Sequence, residues 1–254
     1  MKQLNHYPDS LCKNPTKYCE GCGHGVIHRL VAEVIDELGI REKTVLINPV
    51  GCAIFADRYF DLDSVQPPHG RTPAAATGVK RVLPDHLVIC YQGDGDLAAI
   101  GTAEIIHAAN RGEKFTTIFV NNAIYGMTSG QMAPTTLVGQ KATTAPNGRD
   151  PDAAGMGYPI RVCELLASLD GTRYIARGAV NNAANVRKTR QYIKKAFEAQ
   201  LSGKGFTMVE VLSPCPTNWG MEPVPSVEWL EKNMIPVYPL GEIKNTLDTA
   251  GGAK

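Results

Sequence analysis

The sequence predicts an α/β protein in which helices cover both faces of a mostly parallel sheet. Short apolar runs at 44–47, 87–91 and 117–120 have the composition of buried strands. Segments between them, such as 26–38, repeat apolar side chains at helical spacing. Because strand and helix alternate along the chain, βαβ units and a parallel sheet are expected.

The second and third of these runs end in polar turns. Gly93-Asp94-Gly95 follows the run at 87–91, and Asn121-Asn122 follows the run at 117–120, with one helix-length of chain between them. Both turns should therefore lie at the carboxyl ends of neighbouring parallel strands, which is where open α/β sheets bind ligands.

The residue types in these turns suit a metal-bridged diphosphate. Asp94 offers a carboxylate oxygen and Asn122 an amide oxygen, which are hard ligands suited to Mg²⁺. Gly93 and Gly95 let the backbone approach a bulky anion, and a helix starting near Leu97 would point its N–H groups at a phosphate.

Two other interpretations of these turns were weighed. Residues 93–98 also fit a loose G-x-G-x-x-A dinucleotide motif. Its two aspartates would repel a pyrophosphate unless a cation lay between them, and the next strand ends in Asn121-Asn122 rather than in a ribose-binding acid. An acidic turn without function is the remaining alternative. The metal-diphosphate site is preferred.

Composition bounds the class of protein. At 254 residues and 43% hydrophobic content, the chain can form one large α/β domain. The net charge of +1 gives no argument for a nucleic-acid or membrane partner, and no apolar run approaches the ~20 residues of a membrane span. The polar N-terminus lacks the apolar core of a signal peptide, so a cytoplasmic protein is expected.

Three regions are expected along the chain. Residues 1–17 are polar and form an arm laid over a surface, either this chain's or a partner's. Residues 18–220 form the main domain. Residues 221–254 are a proline-rich C-terminal extension that wraps a neighbour or frays.

Four of the seven cysteines are candidate metal ligands. Cys19 and Cys22 form a Cys-x-x-Cys loop that opens a helix, while Cys52 and Cys215 each follow a predicted strand. Convergent thiolates at one sheet edge bind either Zn²⁺ or an iron–sulfur cluster, and geometry alone does not separate the two. The wide separation of the last two ligands is unlike a compact zinc ribbon.

The other three cysteines are expected to be inert. Cys90 and Cys163 lie in apolar segments and should be core thiols, and Cys12 should be an exposed, incidental thiol of the arm.

A known family accounts for these motifs together. The Gly-Asp-Gly and Asn-Asn turns resemble the thiamine diphosphate motif, and 124–135 resembles the β subunit of 2-oxoacid:ferredoxin oxidoreductases, most of all the branched-chain 2-oxoisovalerate type. The resemblance extends from about residue 18 to about 219. It implies a thiamine diphosphate-binding fold, Mg²⁺ held by Asp94, Asn122 and the Ile124 carbonyl, and a [4Fe–4S] cluster held by Cys19, Cys22, Cys52 and Cys215.

The resemblance also implies which residues contact the organic cofactor and the substrate. His69 is implied as a catalytic residue near the thiamine moiety, with a loop histidine bonded to backbone groups as the alternative. Arg71 holds either the loop or a phosphate. Thr128, Ser129 and Gln131 are expected to face the substrate pocket. The remaining cofactor contacts are implied at Val50, Gly51, Cys52, Ala53, Gly95, Asp96, Gly126 and Met127.

The reaction implied by the resemblance is the oxidative decarboxylation of a 2-oxoacid with coenzyme A to an acyl-CoA and CO₂, with electrons passing through the cluster to ferredoxin. An α subunit would supply the acid that activates thiamine, and γ and ferredoxin-like δ subunits complete the complex. The neutral Ser129 disfavours a dicarboxylate, so 2-oxoisovalerate is preferred over 2-oxoglutarate and pyruvate.

Three other functional classes were kept as alternatives. A non-oxidative thiamine diphosphate-dependent decarboxylase would use the same cofactor without an iron–sulfur cluster. A nicotinamide-dependent dehydrogenase would contain no iron. A zinc-stabilised binding subunit would bind no thiamine diphosphate.

Three further expectations concern local structure. His28 falls on the polar side of its helix and is expected at the surface. Residues 122–159 should form a long functional loop. The helix over 184–200 should present its basic residues to solvent, with ferredoxin docking there as the weaker alternative.

Overall fold

Seven strands form a single sheet in the order β2-β1-β3-β4-β6-β5-β7. The structure is a computed structural model, and it describes residues 6–153 and 155–247. Strands β1 to β6 pair in parallel, and β7 pairs antiparallel with β5. The strands are β1 (Thr44–Ile47), β2 (Asp63–Val65), β3 (Leu87–Gly93), β4 (Thr116–Asn121), β5 (Thr172–Ala179), β6 (Phe206–Leu212) and β7 (Gly241–Asn245).

Helices cover both faces of this sheet. One face packs against α1 and α5, and the other against α2, α3 and α4, with a separate apolar core on each face. The mostly parallel α/β architecture expected from the sequence is therefore confirmed. The helices are α1 (His24–Leu38), α2 (Thr72–Val82), α3 (Thr102–Asn110), α4 (Val162–Ala167), α5 (Ala183–Leu201), α6 (Pro216–Trp219), α7 (Pro223–Trp229) and α8 (Ile235–Val237).

Strands β1, β4 and β6 are buried along their whole length. A strand with helices on both faces has no solvent side, so its sequence is continuously apolar rather than alternating. This is why the apolar runs were recognisable as strands, and it places the polar turns that follow them at one edge of the sheet.

His28 is a buried residue, so the expectation that it lies on the surface was wrong. Its side chain is 3% exposed. The ring packs against Phe60 and Tyr91 at centroid distances of 4.9 and 5.0 Å. Residues far along the chain cover the side of α1 that its own periodicity marks as polar.

The described part of the C-terminal extension is ordered and packs on its own chain, so it does not fray. It forms α7, α8 and β7, and Tyr238 is fully buried. Pairing of β7 with β5 extends the sheet by one strand. Residues 248–254 lie outside the described residues.

The described part of the N-terminal arm likewise lies on this chain. The backbone nitrogens of Asp9 and Ser10 donate to the Asp36 carboxylate at 2.7 and 3.1 Å. The Cys12 nitrogen donates to the Tyr59 carbonyl at 2.8 Å, and Cys12 is half-buried rather than exposed. Residues 1–5 lie outside the described residues.

Ion pairs occupy much of the basic face of α5. Arg190 and Lys194 both contact the Glu37 carboxylate at 2.7 Å, which joins α5 to α1. Lys195 contacts Glu242 of β7 at 2.9 Å. Three of the basic residues thus join α5 to other elements of this chain.

A buried ion pair between two neighbouring strands of the sheet makes a testable contribution to stability. Arg177 of β5 is fully buried and its Nε donates to Glu210 of β6 at 2.6 Å. Arg177→Met should lower the free energy of unfolding by about 3–5 kcal/mol, because the buried Glu210 loses its cationic partner. Chemical denaturation measures the change. Arg187→Met, on the exposed face of α5, should stay within about 0.5 kcal/mol, and equal stability of the two variants would contradict the prediction.

Candidate functional site

The turns after β1, β3 and β4 enclose a cavity of about 290 Å³ at the carboxyl edge of the sheet. Every residue implied above as a thiamine diphosphate contact lines it, as do Asp94 and Asn122. Residues from five separate segments of the chain thus meet at one place. The lining residues are His24, Val50, Gly51, Cys52, Ala53, His69, Gly93, Asp94, Gly95, Asp96, Ala99, Ile100, Val120, Asn122, Tyr125, Gly126, Met127 and Thr128.

Asp94 starts the helical segment that follows β3. Its Oδ1 accepts a hydrogen bond from the Gly95 nitrogen at 2.9 Å, and a π-helical turn over Gly95–Ile100 leads into α3. A Cβ added at Gly95 would lie 3.1 Å from the Tyr125 ring. The absence of a side chain at Gly95 therefore lets the Tyr125 ring pack closely against the start of the helical segment.

The chain turns sharply after Asn122. Ala123 is fully buried and has a φ of 58°, a left-handed conformation that costs a residue with a Cβ about 1 kcal/mol or more. The turn brings the Ile124 nitrogen to 3.1 Å from Asp94 Oδ2 and 3.3 Å from Asn122 Oδ1. The three residues implied as Mg²⁺ ligands are thus adjacent.

The surroundings of Asp94 fit a bound cation. The residue is 4% exposed, and burial raises the pKa of its carboxyl to about 7, although hydrogen bonds from Thr135, Gly95 and Ile124 act in the opposite direction. A divalent cation would supply the positive charge that the buried carboxylate otherwise lacks. Together with the amide oxygen of Asn122, this donor set suits Mg²⁺.

Asp96 orients His69. Its Oδ1 lies 2.5 Å from His69 Nδ1 and accepts from the Gly70 nitrogen at 2.7 Å. Its Oδ2 accepts from Gln92 Nε2 at 2.7 Å. Both carboxylate oxygens of Asp96 are thus engaged within the chain. The main role of Asp96 at the cavity is to fix the His69 ring through Nδ1, and His69 Nε2 takes no part in this contact.

Arg71 is paired with a carboxylate of its own chain. Its guanidinium contacts Glu104 of α3. Of the two roles that the sequence left open, the structure favours holding the loop.

Three of the four candidate cluster cysteines raise the pKa of the fourth, Cys22. Burial raises the pKa of Cys22 to about 12, and the charges of Cys215, Cys52 and Cys19 raise it further. Cys52 itself lines the cavity. The Cys22 nitrogen also donates a hydrogen bond to the Cys19 carbonyl at 3.1 Å.

Gly126 and Asn218 lie close to two of the candidate cluster cysteines. A Cβ added at Gly126 would lie 3.3 Å from Cys52 Sγ. Asn218 Nδ2 donates to the Gly126 carbonyl at 2.9 Å and lies 3.4 Å from Cys215 Sγ. Gly126 and Asn218 thus lie between Cys52 and Cys215.

Within residues 6–153 and 155–247, no group of three His, Cys, Asp or Glu side chains is close enough to hold a single metal ion. Four thiolates bound to one zinc at ~2.3 Å would be nearly in contact. In a four-iron cluster each thiolate binds its own iron, so the sulfurs are further apart. Four thiolates are a donor set that suits either a zinc ion or an iron–sulfur cluster.

Cys90 and Cys163 lie in the core, as expected. Cys163 Sγ donates to Glu210 Oε2 at 2.9 Å, and Cys163 is not among the residues that line the cavity.

His24 and Thr135 were not singled out from the sequence. His24 lines the cavity, and its Nδ1 lies 2.7 Å from the Tyr91 hydroxyl. Burial lowers the pKa of His24 to about 4, so the ring is neutral. The position of His24, two residues after Cys22, could have marked it in the sequence as a residue of the site. The Thr135 hydroxyl donates to Asp94 at 3.0 Å from 41 residues away, which no local pattern reveals.

The long loop over 122–159 contains no helix or strand among its described residues, as expected. Of the residues expected to face the substrate, Thr128 lines the cavity, whereas Ser129 and Gln131 do not. Ser129 has a φ of 80° and is exposed. In the described part of the chain, no helix is long and apolar enough to cross a membrane.

Sequence comparison places the chain among known proteins. A family profile described as thiamine pyrophosphate enzyme, C-terminal TPP binding domain, matches residues 50–211. The ketoisovalerate oxidoreductase subunit VorA of Methanothermobacter thermautotrophicus is 52% identical over 97% of this chain. The alignment covers 53% of that protein, so the chain spans about half the length of this relative.

Two other relatives are covered over most of their length. The 2-oxoglutarate synthase subunit KorB of Methanocaldococcus jannaschii is 37% identical over 87% of this chain and 79% of its own. A solved structure of the 2-oxoglutarate:ferredoxin oxidoreductase from Magnetococcus marinus, with 2-oxoglutarate, coenzyme A and succinyl-CoA bound, has a TM-score of 0.77 and 31% identity. That match covers 91% of this chain and 74% of the solved one.

Proposed function

Because the chain belongs to the 2-oxoacid:ferredoxin oxidoreductase subunits that carry a thiamine pyrophosphate-binding domain, we infer that it is the β subunit of such an enzyme. The reaction is the oxidative decarboxylation of a 2-oxoacid with coenzyme A to an acyl-CoA and CO₂, with ferredoxin as the electron acceptor. The observation that carries this proposal is that Asp94 and Asn122 line the same cavity as Cys52.

The chain's own residues bind and orient the cofactor. Asp94, Asn122 and the Ile124 carbonyl would hold Mg²⁺, and the N–H groups at the start of the helical segment at Gly95 would bind the diphosphate. His69, fixed by Asp96, presents its free ring nitrogen to the cavity and exchanges a hydrogen bond or proton with the substrate. Bound thiamine diphosphate supplies an electron sink for cleavage next to the 2-oxo group.

The cysteines supply the electron outlet. Cys19, Cys22, Cys52 and Cys215 hold a [4Fe–4S] cluster in this proposal. Cys52 lies in the cavity wall, so a cluster held by these thiols would adjoin the cofactor cavity and would supply one-electron acceptor chemistry there. A decarboxylase that releases an aldehyde has no use for such a neighbour, which is the reason for preferring the oxidative reaction.

Other subunits complete the active site. Ile100 and Met127 line the cavity, yet they are 51% and 43% exposed. Exposed apolar side chains at a cavity rim mark a surface that another protein covers. We assign that role to an α subunit that supplies the acid for thiamine activation, with γ and ferredoxin-like δ subunits binding coenzyme A and carrying further clusters.

The cavity wall favours an apolar substrate. Among the described residues that line it, none is lysine or arginine, whereas Val50, Ala53, Ile100 and Met127 are apolar. A dicarboxylate would leave its second carboxylate without a cationic partner on this chain. A branched-chain acid such as 2-oxoisovalerate fits better, and 2-oxoglutarate and pyruvate are the competing outcomes of the test.

The test measures iron, sulfide and thiamine diphosphate in the anaerobically purified complex, followed by substrate-dependent reduction of ferredoxin. About four irons per β chain, after subtraction of the partners' clusters, and bound thiamine diphosphate are expected. 2-Oxoisovalerate should give the largest kcat/KM of the three acids. Thiamine diphosphate together with zinc, or with no metal at the cysteines, would refute the oxidative reaction.

A further inference from the structure

The carboxylate of Asp94 is held by three donors that use its two oxygens unequally. Oδ2 accepts from the Ile124 nitrogen at 3.1 Å and from Thr135 Oγ1 at 3.0 Å. Oδ1 accepts from the Gly95 nitrogen at 2.9 Å. Since a carboxylate oxygen has two lone pairs, Oδ2 is filled and Oδ1 keeps one lone pair for a cation.

Thr135 is the one side-chain donor among these three. It is fully buried, and its carbonyl accepts a hydrogen bond from the Tyr238 hydroxyl at 2.7 Å. It lies in the long loop over 122–159, where no helix or strand of the described residues fixes the backbone. Side-chain contacts must therefore hold the Thr135 hydroxyl in place.

Arg149 makes most of those contacts. It is 5% exposed, and its Nη1 donates to the carbonyls of Pro134 and Thr136 at 2.9 and 2.6 Å, on either side of Thr135. Its other nitrogens donate to the carbonyls of residues 156–158 at 2.7–2.9 Å. A buried guanidinium bonded to carbonyls rather than to a carboxylate acts here as a clamp between two parts of the loop.

We propose that Thr135 is a positioning residue for the diphosphate-bound metal, and that the Arg149 clamp holds Thr135 in register with Asp94. The Thr135 hydroxyl occupies Oδ2, so that the cation meets Asp94 through Oδ1 alone. This inference rests on the proposed function, because it concerns the cation that accompanies thiamine diphosphate.

The test compares variants of Thr135 in the intact complex after removal of thiamine diphosphate. Isothermal titration with thiamine diphosphate at a series of Mg²⁺ concentrations gives the Mg²⁺ needed for half-saturation. Thr135→Val, which keeps the shape and loses the hydroxyl, should raise that concentration about tenfold, equivalent to ~1.4 kcal/mol. Thr135→Ser, which keeps the hydroxyl, should stay within about twofold.

Controls separate positioning from folding. Thr143→Val alters an exposed residue of the same loop and should behave as the wild type. Iron content and the melting temperature without Mg²⁺ should be equal in all these proteins. An unchanged Mg²⁺ requirement in Thr135→Val would overturn the proposal, as would an equal increase in Thr135→Ser. Failure of the wild-type complex to bind thiamine diphosphate would instead refute the proposed function.

Arg149 is tested through its coupling to Thr135. Arg149→Lys keeps the charge but reaches fewer carbonyls, so it should also raise the Mg²⁺ requirement. The double variant Thr135→Val/Arg149→Lys should need no more Mg²⁺ than the weaker-binding of the two single variants. Thr135→Val already removes the hydroxyl that Arg149 holds in place, so Arg149→Lys has nothing further to displace. Additive effects would show that Arg149 acts independently of Thr135 and would overturn this part of the proposal.

Discussion

Replacement of Asp94 by alanine is expected to abolish Mg²⁺-dependent binding of thiamine diphosphate while the iron content of the complex stays unchanged. Asp94 is the one carboxylate among the three proposed Mg²⁺ ligands, and the neighbouring donors already hold it in place. Removal of groups that merely support a metal ligand costs 10–100-fold, so loss of the ligand itself should weaken binding by more than about 100-fold. Titration with thiamine diphosphate at fixed Mg²⁺ measures the loss.

Two further variants make this result specific. Asp94→Asn keeps the size of the side chain and removes only its charge, so it should bind nearly as poorly as Asp94→Ala. Asp152→Ala removes an exposed carboxylate from the long loop and should leave binding unchanged. Normal thiamine diphosphate binding by Asp94→Asn would show that the charge is not needed and that the metal lies elsewhere.

Loss of the cluster on replacement of Cys52 by alanine is the second large effect expected. Cys52 lies in the cavity wall and follows β1, so it is the proposed ligand nearest the cofactor. A [4Fe–4S] cluster with three thiolates is labile, and about four irons per chain should disappear together with the visible absorption of the cluster. Iron analysis and the spectrum of the anaerobic complex measure this directly.

Cys163→Ala is the matched control, because Cys163 is a fully buried thiol that bonds to Glu210 rather than to the other cysteines. Its iron content should equal that of the wild type. Retention of iron by Cys52→Ala together with its loss from Cys163→Ala would refute the proposed ligand set.

The central strands were predictable because their chemistry is local. Strands β1, β3, β4 and β6 are covered on both faces, so each is a mainly apolar run followed by a polar turn. The edge strands were not predicted, since β2 is exposed throughout and β7 has the sequence GEIKN, with charges on both sides of one isoleucine. Their pairing depends on a neighbouring strand rather than on their own composition.

The residues of the site divide in the same way. Asp94 and Asn122 were found because metal-binding oxygens directly follow apolar runs. Thr135 and Arg149 were missed, because a threonine or an arginine in a long loop has no pattern that shows what it contacts. His28 was misjudged because helical periodicity describes only a residue's own helix, whereas Phe60 and Tyr91 bury it from other segments.

The strand order also determines when the site is finished as the chain is synthesised. Strand β4, whose last residue adjoins Asn122, lies between β3 and β6, and its Thr116 contacts Thr207, 91 residues further along the chain. Until β6 leaves the ribosome, β4 is an open edge with unpaired backbone groups. The segment that brings β6 also brings Cys215. Translation therefore completes the sheet at β4 and delivers Cys215 at nearly the same stage of synthesis.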